Sequence, residues 1–399
     1  MNKRELEKKI HISRYISHDS VRSSIELPEK IIIYDSTLRD GEQTPGVSFT
    51  SHQKLEIARK LDEVGIDQIE AGFPVVSKEE ANSVRAIANE GLDADILVLS
   101  RLRREEVDLA VECGVDMILL FIAASELHRK YKLKCSYDEI EARISDVVAY
   151  SKSQGLQTSF STEDSTRADW KILKRFYTAA AEAGADRLGI TDTVGCIHPE
   201  ALRFLVQKVK SISPVPISIH LHNDFGLALA NALAGVQAGA RAVTTTVNGI
   251  GERAGNVPLV EFVIAMQVLY GYEFKFNTSK FKELSELVSR HSGIPVPVNQ
   301  PLVGKNIFSH ESGIHVAAVL KNPATYESIP PELIGNERNL TLGKHSGTHM
   351  IEKKLSEQGI SATTIELEDI LEKVKNLGEI NGEVGDSEFW AIVDSVLTR

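Results

Sequence analysis

Short runs rich in β-branched residues alternate with longer stretches of helical period from residue 31 onward. This alternation is typical of βα units, in which a helix follows each strand and the strands run parallel. We count eight such units, and eight parallel strands that close on themselves form a (β/α)8 TIM barrel, an α/β fold. The predicted strands are Ile31–Asp35, Gln68–Phe73, Asp95–Ser100, Met117–Ile122, Gln157–Ser161, Arg187–Thr191, Ile217–His222 and Ala242–Val247.

A recurring phrase supports the barrel. The segments EVGIDQIEAGF, ECGVDMILLF, EAGADRLGI and QAGARAVTTTV each place a glycine just before a strand, namely Gly65, Gly114, Gly184 and Gly239. Glycine adopts the left-handed conformation that ends a helix and turns the chain toward the next strand. We therefore predict that the repeat is architectural.

The alternation stops after about residue 275, and a proline-rich stretch, GIPVPVNQP, then reads as an extended connector. We predict an N-terminal arm over residues 1–28, a barrel over 29–290, and a linker with smaller, mainly helical subdomains over 291–399. Two helical patterns are expected in the last region, roughly His345 to Gln358 and Ile365 to Leu377.

Charge and composition exclude several classes of partner. A net charge of -11 opposes non-specific attraction to nucleic acid, so we expect no DNA or RNA partner. No apolar run is long enough to span a membrane, and the first residues lack the apolar centre of a signal peptide, which predicts a cytoplasmic protein. The cysteines Cys113, Cys135 and Cys196 are too few and too scattered for a disulfide framework or a CxxC metal knuckle.

The most specific local feature is HLHND at the end of the seventh predicted strand. His220 and His222 are two residues apart, so both imidazoles lie on one face of the strand. An isolated pair of this kind is also compatible with core packing. Asp40, in the loop after the first strand, can reach the same place, and imidazole with carboxylate suits Mg, Mn, Zn or Fe. We therefore predict a divalent metal site.

The eighth strand leads into the glycine-rich segment NGIGERAGN. Its spacing and its position after the last strand do not match a dinucleotide-binding loop. We expect the loop to present Asn256 to the same metal. For Glu252 and Arg253, a role in the site and an ordinary salt bridge that supports the loop are equally compatible with the sequence.

Other strand ends carry polar residues. Glu163 and Thr193 follow the fifth and sixth strands, where Ser, Thr and Asp also cap helices. Their position favours a functional role for these two residues. Glu70 on the second strand would be an unpaired interior carboxylate unless it meets Arg39.

Several segments together resemble one enzyme family. They are DSTLRDGEQTPG, IEAGFP, STEDSTRAD, DTVG, HLHNDFGLALAN, NGIGERAGN, FSHESGIH and LGKHSG, and they cover residues 31 to about 350. In this order they are similar to the motifs of the 2-isopropylmalate, homocitrate and citramalate synthases, which condense acetyl-CoA with a 2-oxo acid. The resemblance implies a metal-dependent acyltransferase.

The resemblance also implies a role for each matching residue. The metal ligands would be Asp40, His220, His222 and Asn256, and the substrate would contact Gln43, Glu70, Ser161 and Thr193. Arg39 would stabilise the alkoxide that forms on the 2-oxo acid. His315 and Tyr326 would enolise acetyl-CoA, assisted by Glu163. Family members form dimers, so we expect a homodimer in which the C-terminal region contributes this pair to the partner's site.

The acceptor is harder to assign. Only about 50 residues follow LGKHSG, which is too few for the leucine-binding domain of typical 2-isopropylmalate synthases. The HRKYKLKCS stretch resembles methanogen homocitrate synthases, so 2-oxoglutarate or a longer 2-oxo diacid is the expected acceptor. The alternatives are 2-oxoisovalerate or pyruvate, and, outside this chemistry, an acyl-CoA lyase or a non-catalytic metal-binding barrel.

One position departs from the homocitrate synthases of lysine biosynthesis. They carry an arginine in the fifth strand for the distal carboxylate, where this sequence has Ser159. Another group must bind that carboxylate if it is present, and the candidates are Arg101, Arg103 and Arg104 after the third strand.

Overall fold

A computed structural model describes residues 8–398 and contains a closed barrel of eight parallel strands. The strands pair in chain order, and β8 closes the barrel on β1 with Ile32 opposite Ala242. The predicted α/β barrel is confirmed. The strands are β1 (Ile32–Asp35), β2 (Gln68–Gly72), β3 (Asp95–Arg101), β4 (Met117–Ala123), β5 (Gln157–Glu163), β6 (Arg187–Asp192), β7 (Ile217–Leu221) and β8 (Ala242–Thr245).

Helices follow the strands and cover the barrel. The predicted glycine turns are confirmed, because Gly65, Gly114, Gly184 and Gly239 all have positive φ angles, between 77° and 109°. The helices of this part are α1 (Ser51–Val64), α2 (Lys78–Ala88), α3 (Arg104–Cys113), α4 (Tyr137–Ser153), α5 (Trp170–Glu182), α6 (Pro199–Lys210), α7 (Ala228–Gln237), α8 (Leu259–Val268) and α9 (Phe281–Ser292).

Each barrel strand is buried on nearly its whole length, because helices cover its outer face and side chains fill the interior. The lower interior contains an apolar cluster of Leu97, Met117 and Leu119 with Tyr34 packed against it, and also buried polar residues such as Gln68, Ser159 and Arg187. Other polar residues lie at the carboxyl ends of the strands, which is where barrel enzymes place their sites.

The chain divides into two compact units. The barrel unit spans Arg14–Val296, and the other unit comprises the described residues 8–13 and 297–398. Of the predicted N-terminal arm, residues 1–7 lie outside the described part. The rest contains a 3-10 turn, Arg14–Ser17, and a helical turn, Asp19–Arg22.

The second unit is mainly helical, as predicted. Its helices are α10 (Gly313–Lys321), α11 (Thr348–Glu357), α12 (Thr364–Asn381) and α13 (Asp386–Leu397). The two predicted helical patterns correspond to α11 and α12, whereas α10 and α13 were not predicted. The second unit has its own hydrophobic core, which includes Ile351, Val374 and Phe389. No helix within residues 8–398 is long and apolar enough to cross a membrane.

Candidate active site

Three potential metal ligands meet at the carboxyl end of the barrel. Asp40 lies in the loop after β1, and His220 lies on β7 with His222 just beyond it. Asp40 Oδ2 is 3.0 Å from His220 Nε2 and 3.7 Å from His222 Nε2, and the two imidazole nitrogens are 3.2 Å apart. All three residues are buried. The predicted set therefore converges as a possible divalent-cation site.

The surrounding polar atoms fit a cation. Asp40 Oδ1 and Asn256 Oδ1 are buried and have no hydrogen-bond partner among the described residues, which is unusual for buried oxygens. Burial, with a smaller contribution from His220, lowers the pKa of His222 to about 4, so its imidazole is neutral as a metal ligand must be. Burial acts to raise the pKa of Asp40, but Arg39 and His220 more than offset it and keep the carboxylate ionised.

The loop after β8 brings Asn256 beside His222, to which it is joined by a backbone bridge. The glycines of this loop allow close backbone packing. Gly255 has a φ angle of +83°, and a Cβ there would lie 1.9 Å from the carbonyl oxygen of Gly249. The glycine-rich segment thus places Asn256 at the ligand cluster.

Arg253 supports this loop through an ion pair, but Glu252 is not its main partner. Arg253 Nε donates to Asp224 Oδ1 at 2.8 Å, and Nη2 donates to the carbonyl oxygen of Thr193 at 2.7 Å. The contact with Glu252 is longer, 3.4 Å. Asp224 follows the HLHN segment and was not assigned a role from the sequence.

Arg39 and Glu70 form an ion pair, as the interior position of Glu70 in the sequence suggested. Arg39 Nε donates to Glu70 Oε1 at 2.8 Å and Nη2 donates to Oε2 at 3.0 Å. Arg39 Nη1 also lies 3.1 Å from Asp40 Oδ2. Burial acts to lower the pKa of Arg39, but the charges of Glu70 and Asp40 hold it above its ordinary value. The guanidinium is therefore a fixed positive charge beside the ligand cluster.

A cavity of about 280 Å³ opens over these residues. Most of the barrel residues predicted for the site line it, whereas Glu70 and Asn256 lie directly behind its wall. One side is apolar and the other carries the polar residues. The lining consists of Tyr34, Arg39, Asp40, Gln43, Phe73, Leu99, Leu119, Phe121, Lys132, Ser161, Glu163, Thr191, Thr193, His220, His222 and Glu252.

Glu163 ends β5 at the mouth of this cavity, where it has a partner that the sequence did not predict. Lys132 Nζ donates to both carboxylate oxygens of Glu163, at 2.8 and 2.7 Å. His128 Nδ1 lies 3.3 Å from Glu163 Oε1. Both residues come from the HRKYKLKCS stretch, which folds here into a π-helical turn, Arg129–Leu133, a feature often found at functional sites.

Thr193 lines the cavity, and its Oγ1 also accepts a hydrogen bond from the backbone nitrogen of Asp164 at 2.8 Å. Ser161 Oγ lies 3.2 Å from Thr191 Oγ1 on the neighbouring strand. Hydroxyl groups therefore form the β5 and β6 side of the cavity.

The three arginines after the third strand do not line the cavity. Arg101 pairs with Glu106, and Arg104 pairs with Asp146 on α4. The structure therefore does not support the expectation that one of them binds a distal carboxylate.

His315 and Tyr326 lie in the second unit, where their rings pack with centroids 4.1 Å apart. Both side chains are exposed. Next to them, Glu327 is buried and accepts hydrogen bonds from Arg338 at 2.6 Å and from His310 at 3.2 Å. In the second unit, the exposed side chains of His315 and Tyr326 therefore lie beside a hydrogen-bonded ion pair of Glu327 and Arg338.

Comparison with family models covers both units. Residues 30–288 match the HMGL-like family, and residues 302–382 match the homocitrate synthase post-HMGL domain-like family. Among solved structures, the HMG-CoA lyase of Bacillus subtilis has a TM-score of 0.62 and 20% identity, and covers 68% of this chain and 97% of that chain. At this identity the likeness shows the fold alone.

Full-length relatives are much more similar. Homocitrate synthase AksA of Methanopyrus kandleri is 53% identical over 94% of this chain and 94% of that protein. Homocitrate synthase AksA of Methanothermobacter thermautotrophicus is 49% identical over 96% of this chain and 98% of that protein. A 2-isopropylmalate synthase of Methanocaldococcus jannaschii is 47% identical, over 94% of this chain but 73% of that protein.

Proposed function

This chain belongs to the HMGL-like family and carries the domain that follows it in homocitrate synthases, and we propose that it condenses acetyl-CoA with 2-oxoglutarate to form homocitrate. It is a transferase of the acetyl-CoA-condensing type. The relatives named homocitrate synthase are 49–53% identical to this chain, slightly above the 46–50% of related 2-isopropylmalate and citramalate synthases, which supports this acceptor.

One observation carries the chemistry. Asp40, His220 and His222 converge in a cavity that also contains the fixed guanidinium of Arg39. With Asn256, these ligands would hold a divalent metal, which supplies Lewis-acid polarisation of the acceptor ketone when bound. A 2-oxo acid is suited to this arrangement because its carboxylate and ketone oxygens are adjacent.

Arg39 stabilises the charge that develops on the ketone oxygen as it becomes an alkoxide. Its orientation is set in advance by Glu70, while N–H groups on Nη1 and Nη2 remain for the substrate. Gln43, Ser161 and Thr193 contribute neutral hydrogen-bonding groups that orient the acceptor.

Formation of the carbon–carbon bond requires the methyl group of acetyl-CoA to lose a proton. We assign this step to His315 with Tyr326, assisted by Glu163, because histidine is the side chain that most often serves as a general base and His315 is exposed. The enol carbon attacks the ketone carbon, and hydrolysis of the resulting thioester releases CoA. His315 and Tyr326 act on the partner's barrel in a homodimer.

A second acceptor class has one observation in its favour. Phe73, Leu99, Leu119 and Phe121 form an apolar wall on one side of the cavity. Such a wall suits the branched side chain of 2-oxoisovalerate as well as the methylene groups of a diacid. The alternative activity is therefore 2-isopropylmalate or citramalate synthesis by the same residues.

The test is release of free CoA thiol from acetyl-CoA with a divalent metal and one of four acceptors: 2-oxoglutarate, 2-oxoadipate, 2-oxoisovalerate or pyruvate. We expect turnover with 2-oxoglutarate and a product with the mass of homocitrate. Arg39→Met should be inactive, whereas Arg175→Met, on the outer surface of α5, should match the wild type. Turnover with 2-oxoisovalerate or pyruvate alone would establish the alternative, and no thiol release with any acceptor would refute the proposal.

A further inference from the structure

Arg187 buries its guanidinium group inside the barrel, below the candidate active site. It is the first residue of β6, lies opposite Ser159 of β5, and is 4% exposed. Nε donates to Ser159 Oγ at 3.3 Å, Nη1 donates to Gln68 Oε1 at 2.7 Å, and Nη2 lies 3.1 Å from Met117 Sδ. The ring of Tyr34 packs on the guanidinium, with 5.0 Å between Cζ and the ring centroid.

All of these partners are neutral, which distinguishes Arg187 from two other largely buried cations of the barrel. Arg39 contacts the carboxylate of Glu70, and Lys54 contacts two carboxylates. Within residues 8–398, Arg187 has no such contact, and the carboxylates of Glu70 and Asp95 attract it only at longer range. A buried charge that no counter-ion contacts is unfavourable, so this position favours the binding of an anion.

The guanidinium lies one layer of side chains below the cavity floor. Tyr34 and Leu119 line the cavity and belong to the same buried cluster as Met117, which contacts Arg187, and Leu99 lines the cavity and packs against this cluster. Side chains are small on the β5 and β6 side of this layer. Gly189 lies opposite Ser161, and a Cβ on it would lie only 2.1 Å from Ser161 Oγ.

We propose that Arg187 binds the distal carboxylate of a 2-oxo dicarboxylic acceptor. The inference rests on the proposed function, because it assumes that the ketone end of the acceptor faces Asp40 and Arg39. The methylene groups would lie along Leu99 and Leu119. The side chain of Tyr34 would change rotamer and so expose the guanidinium of Arg187 to the carboxylate. Rotamer changes of this size are common when ligands bind.

The depth of Arg187 predicts which diacids bind best. Ser161 lines the cavity, and Ser159, which Arg187 contacts, lies two residues below it, about 7 Å along the strand. An acceptor with more methylene groups spans this distance more fully. We therefore expect a lower KM for 2-oxoadipate than for 2-oxoglutarate.

The test compares Arg187→Met and Arg187→Lys with the wild type, using 2-oxoglutarate, 2-oxoadipate and 2-oxoisovalerate as acceptors. In Arg187→Met the KM for both diacids should rise about 30-fold or more, with kcat at saturation little changed, because a charge-assisted contact to bound substrate is lost. Arg187→Lys should recover part of this loss. The KM for 2-oxoisovalerate should not rise, since it has no distal carboxylate.

If Arg187 has only a structural role, Arg187→Met should lower the melting temperature. Under our proposal we expect the melting temperature to be unchanged or higher, because an unpaired buried charge is replaced by an apolar side chain of similar size. Lys132→Met tests the cation that lines the cavity mouth. Three outcomes would each overturn the inference. The KM for the diacids could be unchanged in Arg187→Met, it could rise in Lys132→Met instead, or Arg187→Met could lose activity equally with every acceptor. A wild-type protein without turnover of any diacid would contradict the proposed function and this inference together.

Discussion

The guanidinium of Arg39 donates to both carboxylate oxygens of Glu70, at 2.8 and 3.0 Å, and Glu70 is completely buried. Ser36 Oγ donates to the same carboxylate. The two-pronged contact fixes the plane of the guanidinium, which a single hydrogen bond would not do. Arg39 thus enters the reaction already oriented toward the metal ligands.

Glu70→Gln should therefore weaken both catalysis and stability. Arg39 would lose a bidentate partner and remain as a poorly compensated buried charge, which costs about 3–5 kcal/mol. We expect kcat/KM to fall about 100-fold or more and the melting temperature to drop. The matched control is Asp146→Asn, which removes a carboxylate from an exposed ion pair with Arg104 and should change neither quantity measurably. An active, fully stable Glu70→Gln protein would show that the pair does not orient Arg39.

Removing a metal ligand and removing a neighbouring acid should have different effects on metal content. Asp40→Asn should lower the affinity for a divalent metal by about 100-fold or more, as measured by elemental analysis after dialysis, and abolish turnover. Glu163→Gln changes an acid in the same cavity that is not a predicted ligand. It should retain the metal while losing most activity. Equal metal content in the wild type, Asp40→Asn and Glu163→Gln would contradict the assigned ligand set.

Stability should depend on pH through Asp35. Burial raises the pKa of this carboxyl to about 7, although Thr37 and Thr245 hydrogen-bond to it. The folded protein therefore keeps a proton that the unfolded chain loses near pH 4, so stability falls as pH rises from about 4 to 7. Asn cannot ionise and accepts the same Thr37 hydrogen bond.

Asp35→Asn should accordingly gain stability relative to the wild type as pH rises. Between pH 5 and pH 8 the gain should be about 3 kcal/mol, since one pKa unit corresponds to roughly 1.4 kcal/mol. Thermal melts at both pH values, in the presence of a chelator, measure it. A difference in melting temperature that does not widen with pH would mean that Asp35 is ionised in the folded protein at pH 5.

Mixed dimers test whether His315 acts across an interface. Arg39→Ala disables the barrel half of the site, and His315→Ala disables the C-terminal half. Each variant alone should be inactive. If the halves come from different subunits, co-expression in equal amounts should restore about a quarter of wild-type activity, because half of the dimers are mixed and each contains one intact site. No recovery in dimers shown to be mixed would place both halves in one subunit.

Much of the candidate site follows from local sequence. His220 and His222 share a strand face because strand geometry has a period of two, and the glycines before the strands set the βα alternation that gathers strand ends at one edge. The partnership of Arg39 with Glu70 was also within reach, since an interior carboxylate requires a cation.

Other contacts depended on the closed barrel. Lys132 meets Glu163 because a π-helical turn carries it back over the cavity, and Arg253 selects Asp224 over its neighbour Glu252. Arg187 contacts Gln68, which is 119 residues away in the chain. Sequence periodicity determined which residues face the barrel interior, whereas closure and side-chain packing decided which of them touch. The physical reason is that a period records only the direction of a side chain from its own strand, while a contact depends on the stagger and side-chain sizes of several strands at once.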